Sequence, residues 1–171
     1  LDRAAALAPA AAIAATPARL LHYRGLHALN AGDPAAAIEF LQQAEAAYGA
    51  LIPATSAARD AEAISLVSDP VVQSAVLGLA EAKRNRAVAL VRAGRASEAQ
   101  AVINESRQVL RRAGLEPAMM VGRAMRSEAG ADIRLGRTEV AAQMLERAAG
   151  RFGAAAPGER PEAVTLFLAG Q

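Results

Sequence analysis

The chain has no cysteine and no tryptophan in its 171 residues. Without thiols there is no disulfide, no thiolate metal site and no cysteine nucleophile, and the absence fits any compartment. Aromatic residues make up only 3%, so a core has to come from Ala, Leu, Val and Ile. Lysine occurs once, at Lys83, and histidine twice, at His22 and His27. Five residues apart on a helix, the two imidazoles point about 140° from one another and cannot share a metal from one face. No charge-free apolar run reaches the roughly 18 residues that span a bilayer. No hairpin dipeptide sits between alternating apolar runs, so strands are not expected. Phosphate-loop, dinucleotide and serine-hydrolase motifs are missing. The chain is therefore read as a non-enzyme with no cofactor and no metal.

What is present is small and apolar. Hydrophobic residues make up 53%, and small side chains let backbones approach closely, which suits stacked helices. The length is enough for one domain with a real core. The Ala-rich stretch 4–17 reads as a weak helix or linker. The first residue is Leu1 rather than Met, which suggests a piece of a larger protein. The net charge of +2 hides an asymmetry, with residues 1–82 at −4, 83–151 at +7 and 152–171 at −1. A negative surface is the natural counterpart of the middle segment.

Three stretches share a pattern around Gly32, Gly94 and Gly136. Each glycine ends an apolar-periodic helix, where a left-handed terminal residue costs Gly least. Asp33 followed by Pro34 fits an N-cap with proline in the first turn, and Ser97 and Thr138 lie near the next helix starts. Five residues past each glycine stands Ala37, Ala99 or Ala141, nine past it Leu41, Ile103 or Leu145, and twelve past it Ala44, Ser106 or Ala148. Seven residues before the turns stand Gly25, Ala87 and Ala129. Small residues around one larger residue on a single face let two helices lie close together.

This pattern resembles the tetratricopeptide repeat. The resemblance implies an all-α fold, a right-handed superhelix of antiparallel helix pairs. Repeats are expected over about 17–53, 80–113 and 117–153, with an irregular insertion at 53–69 and a partial further helix at 159–171, all in one domain covering 1–171. Gly94 and Gly136 are 42 residues apart, longer than the usual repeat of about 34. The sequence departs from the pattern at Lys83, where a large apolar residue is usual, and at Arg24, Arg86 and Glu128, where an apolar residue is usual.

The resemblance also implies a concave groove lined by the first helix of each pair. The matching positions are Arg19, His22, Tyr23 and Leu26, then Arg84, Asn85, Val88 and Arg92, then Arg123, Arg126, Ser127 and Arg134. Arg84 and Arg126 are equivalent, as are Arg92 and Arg134, with Val88 and Ile133 as an apolar floor. Arginine forks suit carboxylates. The expected partner is a protein or peptide segment, acidic, from another protein or from another domain of the parent chain. Nucleic acid is disfavoured because the basic region lacks stacking aromatics, and no membrane association is expected. The terminal helix is read as a cap or a homodimer contact. The compartment is open, with the cytoplasm favoured. Two other parents are compatible with the long repeat and its "GR" turns: a regulatory arm of a CHAT-type caspase-like peptidase, or of a bacterial transcriptional activator. Glu128 and Asp132 are read as ion-pair partners of arginines on an adjacent helix, and Met119, Met120, Met125 and Met144 as gap fillers.

Overall fold

The computed structural model describes residue 13 and residues 15–53, 69–115 and 118–155. About 85% of these are helical and none lies in a strand. The helices are α1 (Thr16–Asn30), α2 (Pro34–Gly49), α3 (Pro70–Arg92), α4 (Ala96–Arg112), α5 (Ala118–Arg134) and α6 (Thr138–Ala155). The expected insertion falls almost wholly, and the expected final helix wholly, outside the described residues.

Three links of three residues join α1 to α2, α3 to α4 and α5 to α6. Such short links turn the chain back, so each pair packs side by side. Gly32, Gly94 and Gly136 hold φ of 81°, 78° and 76°, the left-handed values that favour glycine. After each, the next amide reaches back five residues: Asp33 N–H to the Ala28 carbonyl, Arg95 to Leu90 and Arg137 to Asp132, at 2.8–2.9 Å. Helix ends are thereby satisfied with no further residues. Asp33 caps α2 by accepting from the Ala36 amide at 2.9 Å. Asp69 does the same for α3 with the Val71 amide at 2.7 Å. Ser97 does not cap α4, which starts at Ala96 after an uncapped Arg95. The residue two after that glycine is already inside the helix.

Beyond the pairs, α2 packs on α3 and α4 on α5, while α1 touches α3 and α3 touches α5. The core is as small-sided as the composition implies. Ala37, Leu41 and Ala44, then Ala99 and Ile103, have no exposed surface, and Ala141, Leu145 and Ala148 are buried. At Gly25 a Cβ would stand 2.6 Å from Leu41 Cγ, so the Leu41 side chain packs directly on the backbone of α1. The ring of Tyr48 lies equally hard against Gly78. Ser106 occupies a small-residue position and satisfies its hydroxyl by donating to the Ala80 carbonyl at 2.7 Å. Met125 is buried and Met144 packs against Ala129, Ala141 and Leu145.

Three of the departures from the repeat pattern, Lys83, Arg86 and Glu128, form ionic joints. Glu45 on α2 accepts from Arg86 at 2.5 Å and from Lys83 at 3.2 Å on α3. At the equivalent joint, Arg107 on α4 donates to Glu128 on α5 at 3.1 Å. Glu45 and Arg107 each stand thirteen residues past a turn glycine. The same contact is thus made twice, with the charges exchanged.

Candidate arginine-lined interface

The first helices of the pairs bring most of the expected groove residues together. From α1, Arg19 donates to the Ser74 hydroxyl of α3 at 3.4 Å. His22 Nε2 lies 2.7 Å from Asn85 Nδ2. The Asn85 carbonyl oxygen accepts from Arg84 at 2.7 Å, so its amide NH2 must point at His22. That makes Nε2 the acceptor and His22 the neutral tautomer protonated at Nδ1. Burial pushes the His22 pKa below its ordinary 6.5, Arg84 pushes it further down, and Glu81 opposes. Tyr23 stacks on His22, and Tyr48 meets its edge.

Glu81 is the hub. Arg84 grips one of its oxygens through Nε at 2.9 Å and Nη2 at 2.7 Å, and Arg123 of α5 reaches the other at 3.3 Å. Burial raises the Glu81 pKa, but the two guanidiniums outweigh it and hold the carboxyl below its ordinary value. Arg126 sits close enough to be affected. Burial lowers its pKa first, then repulsion from Arg84 and Arg123, with Glu81 partly compensating. Two guanidiniums thus hold one carboxylate, with a third near enough to feel the other two and the carboxylate.

The arginines differ in how far they reach solvent. The Arg84 side chain is 14% exposed and held through Nε and Nη2 by Glu81 and Asn85, whereas that of Arg123 is 45% exposed. Arg126 is exposed at residue level. The other row serves a different place. Arg92 donates to the Leu29 carbonyl at 2.8 Å, tying the end of α3 to the end of α1. Arg134 lines an open cavity of about 320 Å³ with Gly94, Arg95, Ala96, Ser97, Glu98 and Leu135. Eight residues of helix separate the members of each column, roughly 12 Å along the axis and 80° around it, so the four arginines do not form one patch.

Several side-chain expectations differ from what is found. His27 is exposed, on the side of α1 that no described helix covers, although a histidine on a packed helix would be expected to make a partly buried contact. Ile133 is 41% exposed and Val88 half-buried, so only Val88 serves as an inward apolar surface. Glu128 does pair with Arg107 of the neighbouring α4. Asp132 instead accepts from Gln100 at 2.6 Å and lies 3.6 Å from Arg137 in the turn that follows. The sequence also allows a solvated basic face whose arginines pair with Glu81, Glu128 or Asp132, and Glu81, three residues before Arg84, is found paired with Arg84 and Arg123.

Among the described residues, no three His, Asp or Glu side chains gather as metal ligands, and no helix is long and apolar enough to cross a membrane. Comparisons with known protein families, with curated proteins and with solved structures found no match for the chain.

Proposed function

We propose that the chain is a tetratricopeptide-like helical array whose first helices bind an acidic segment of a protein partner. The repeated left-handed turn glycines, the buried small residues at repeat-equivalent positions and the contacts α1 to α3 to α5 support the array. The sharing of the single Glu81 carboxylate by Arg84 and Arg123, with the exposed Arg126 close by, supports the ligand. Glu81 and Asn85 hold Arg84 in place, so Arg84 acts as a fixed positive floor. Arg123 keeps solvent-facing donors for an incoming carboxylate. An anion relieves the repulsion among the three guanidiniums, which is a reason for binding beyond simple proximity. Val88, half-buried on α3, offers apolar surface for the side chains between the acids.

The test uses a fluorescein-labelled Asp/Glu-rich 12-residue peptide and its Asn/Gln counterpart, followed by anisotropy with the whole chain. The acidic peptide binds, the amide peptide does not, and binding weakens between 50 and 300 mM salt, as about 10 Å screening lengths require. Arg123→Glu with Arg126→Glu abolishes it. The exposed pair Arg111 and Arg112 at the end of α4, changed to Glu, leaves it nearly intact. Equal losses in both variants would reduce the binding to non-specific charge attraction and sink the proposal.

A further inference from the structure

Counting from the turn glycines gives each residue of α1 a counterpart in α3 and in α5. Leu20 corresponds to Ala82 and Ala124, Arg24 to Arg86 and Glu128, and His27 to Ala89 and Ala131. In α3 and α5 this stripe faces the preceding helix pair. Ala82 clusters with Ala44 and Tyr48 of α2, and Ala131 lies in one cluster with Ala99 and Ile103 of α4. The four alanines are at most 1% exposed, and Arg86 and Glu128 find their counterions on α2 and α4.

On α1 the same stripe is open. Leu20 is 52% exposed, Tyr23 beside it 68%, and Arg24 and His27 are exposed. Positions 20, 24 and 27 share one face of α1. Two of the five exposed large hydrophobic side chains among the described residues, Leu20 and Tyr23, lie on this helix.

We infer that this stripe docks an acidic amphipathic helix of a partner protein, seated as α2 sits on α3 and α4 on α5. Charge fixes the partner's chemistry. Helix α1 holds Arg19, His22, Arg24 and His27 and no carboxylate. At both internal joints the ion at the counterpart of Arg24 meets its opposite from the second helix of the preceding pair. Arg24 therefore takes an Asp or Glu from the docking helix. A second copy facing α1 with its own α1 would set arginine against arginine, which opposes self-pairing. Leu20 and Tyr23 are larger than Ala82 and Asn85, so the partner helix presents Ala or Gly opposite them. The surface is separate from the arginine cluster and does not depend on it.

A peptide with the sequence of residues 33–50 and Tyr48→Ala is a direct probe, since α2 covers the equivalent stripe of α3 and its Tyr48 sits against Gly78 and Ala82, whose α1 counterparts Thr16 and Leu20 are larger. It carries Asp33, Glu39 and Glu45 and no basic residue. Labelled and titrated against the whole chain, it binds saturably. Arg24→Glu, an exposed change whose fold is checked by circular dichroism, weakens it about tenfold, equivalent to about 1.4 kcal/mol. A probe carrying Glu45→Arg regains affinity for the Arg24→Glu chain. Leu20→Asp also weakens it, whereas Arg111→Glu, an exposed change at the end of α4, leaves it unchanged. Absence of saturable binding overturns the inference. So do equal losses from Arg24→Glu and Arg111→Glu, no regain with the reversed probe, or sedimentation showing a dimer that the Arg24→Glu change does not weaken.

Discussion

Removing the Glu45 carboxylate isolates the ionic joint between the first two helix pairs. The three side chains it joins are nearly buried, with Glu45, Arg86 and Lys83 at 11%, 15% and 16% exposure. Losing one partner of a fully buried pair costs about 3–5 kcal/mol, because a charge is left without a counterion. Two features reduce that here. The cations keep some contact with water, and Lys83 retains Glu105 at 2.6 Å. A loss of about 2–3 kcal/mol is expected for Glu45→Ala. For a domain of this size that lowers the thermal midpoint by roughly 4–12 °C. The reversal Glu45→Arg with Arg86→Glu reproduces the polarity found at Arg107 and Glu128. It should recover most of the stability that either single change removes. Urea unfolding followed by circular dichroism at 222 nm measures both, with the double-mutant cycle isolating the pair. A loss below about 0.5 kcal/mol for Glu45→Ala, within the range of ordinary surface changes, would refute the reasoning. So would a double variant no better than the sum of the singles.

Two glycines inside helices separate close approach from open space. Gly25→Ala drives a Cβ onto Leu41 and should cost about 1–3 kcal/mol as overpacking. Gly130→Ala meets nothing within 4 Å and should gain up to about 1 kcal/mol from helix propensity, both read from thermal midpoints. The depressed pKa of His22 predicts a pH dependence. As pH falls below 6.5 the unfolded chain takes up a proton that the folded chain resists. Stability therefore declines until the folded pKa is passed, and is fully present above 6.5. Urea midpoints at pH 7.5 and 5.5 should show this decline, and His22→Gln should flatten it.

The all-helical class, the turn glycines and the buried small residues were legible because they depend on local spacing. A glycine at a helix end and an alanine five residues on are set by backbone geometry and by the neighbouring helix of the same pair. Asp33 was legible as a cap for the same reason. The joints between pairs were not. Lys83 and Arg86 looked like breaks in the pattern, because their partner Glu45 lies 38 and 41 residues away. The signal that existed was that positions 45 and 107, and positions 86 and 128, carry opposite charges at equivalent places. The separation of Arg92 from Arg84 was readable from helical angle alone. The capture of the Leu29 carbonyl by Arg92, across 63 residues, was not.

The exchanged polarity of the two joints bears on how such an array changes length. If the middle pair, α3 with α4, were deleted, α5 would follow α2, and Glu128 would face Glu45 in a nearly dry interface. If that pair were duplicated, Arg107 would face a second Arg86. Either event sets like charges against each other where each now has an opposite. An array with the same polarity at every joint would tolerate loss or gain of a unit without notice. This one reports the error at the first misplaced contact, so its three pairs are held to one order as well as one stacking geometry.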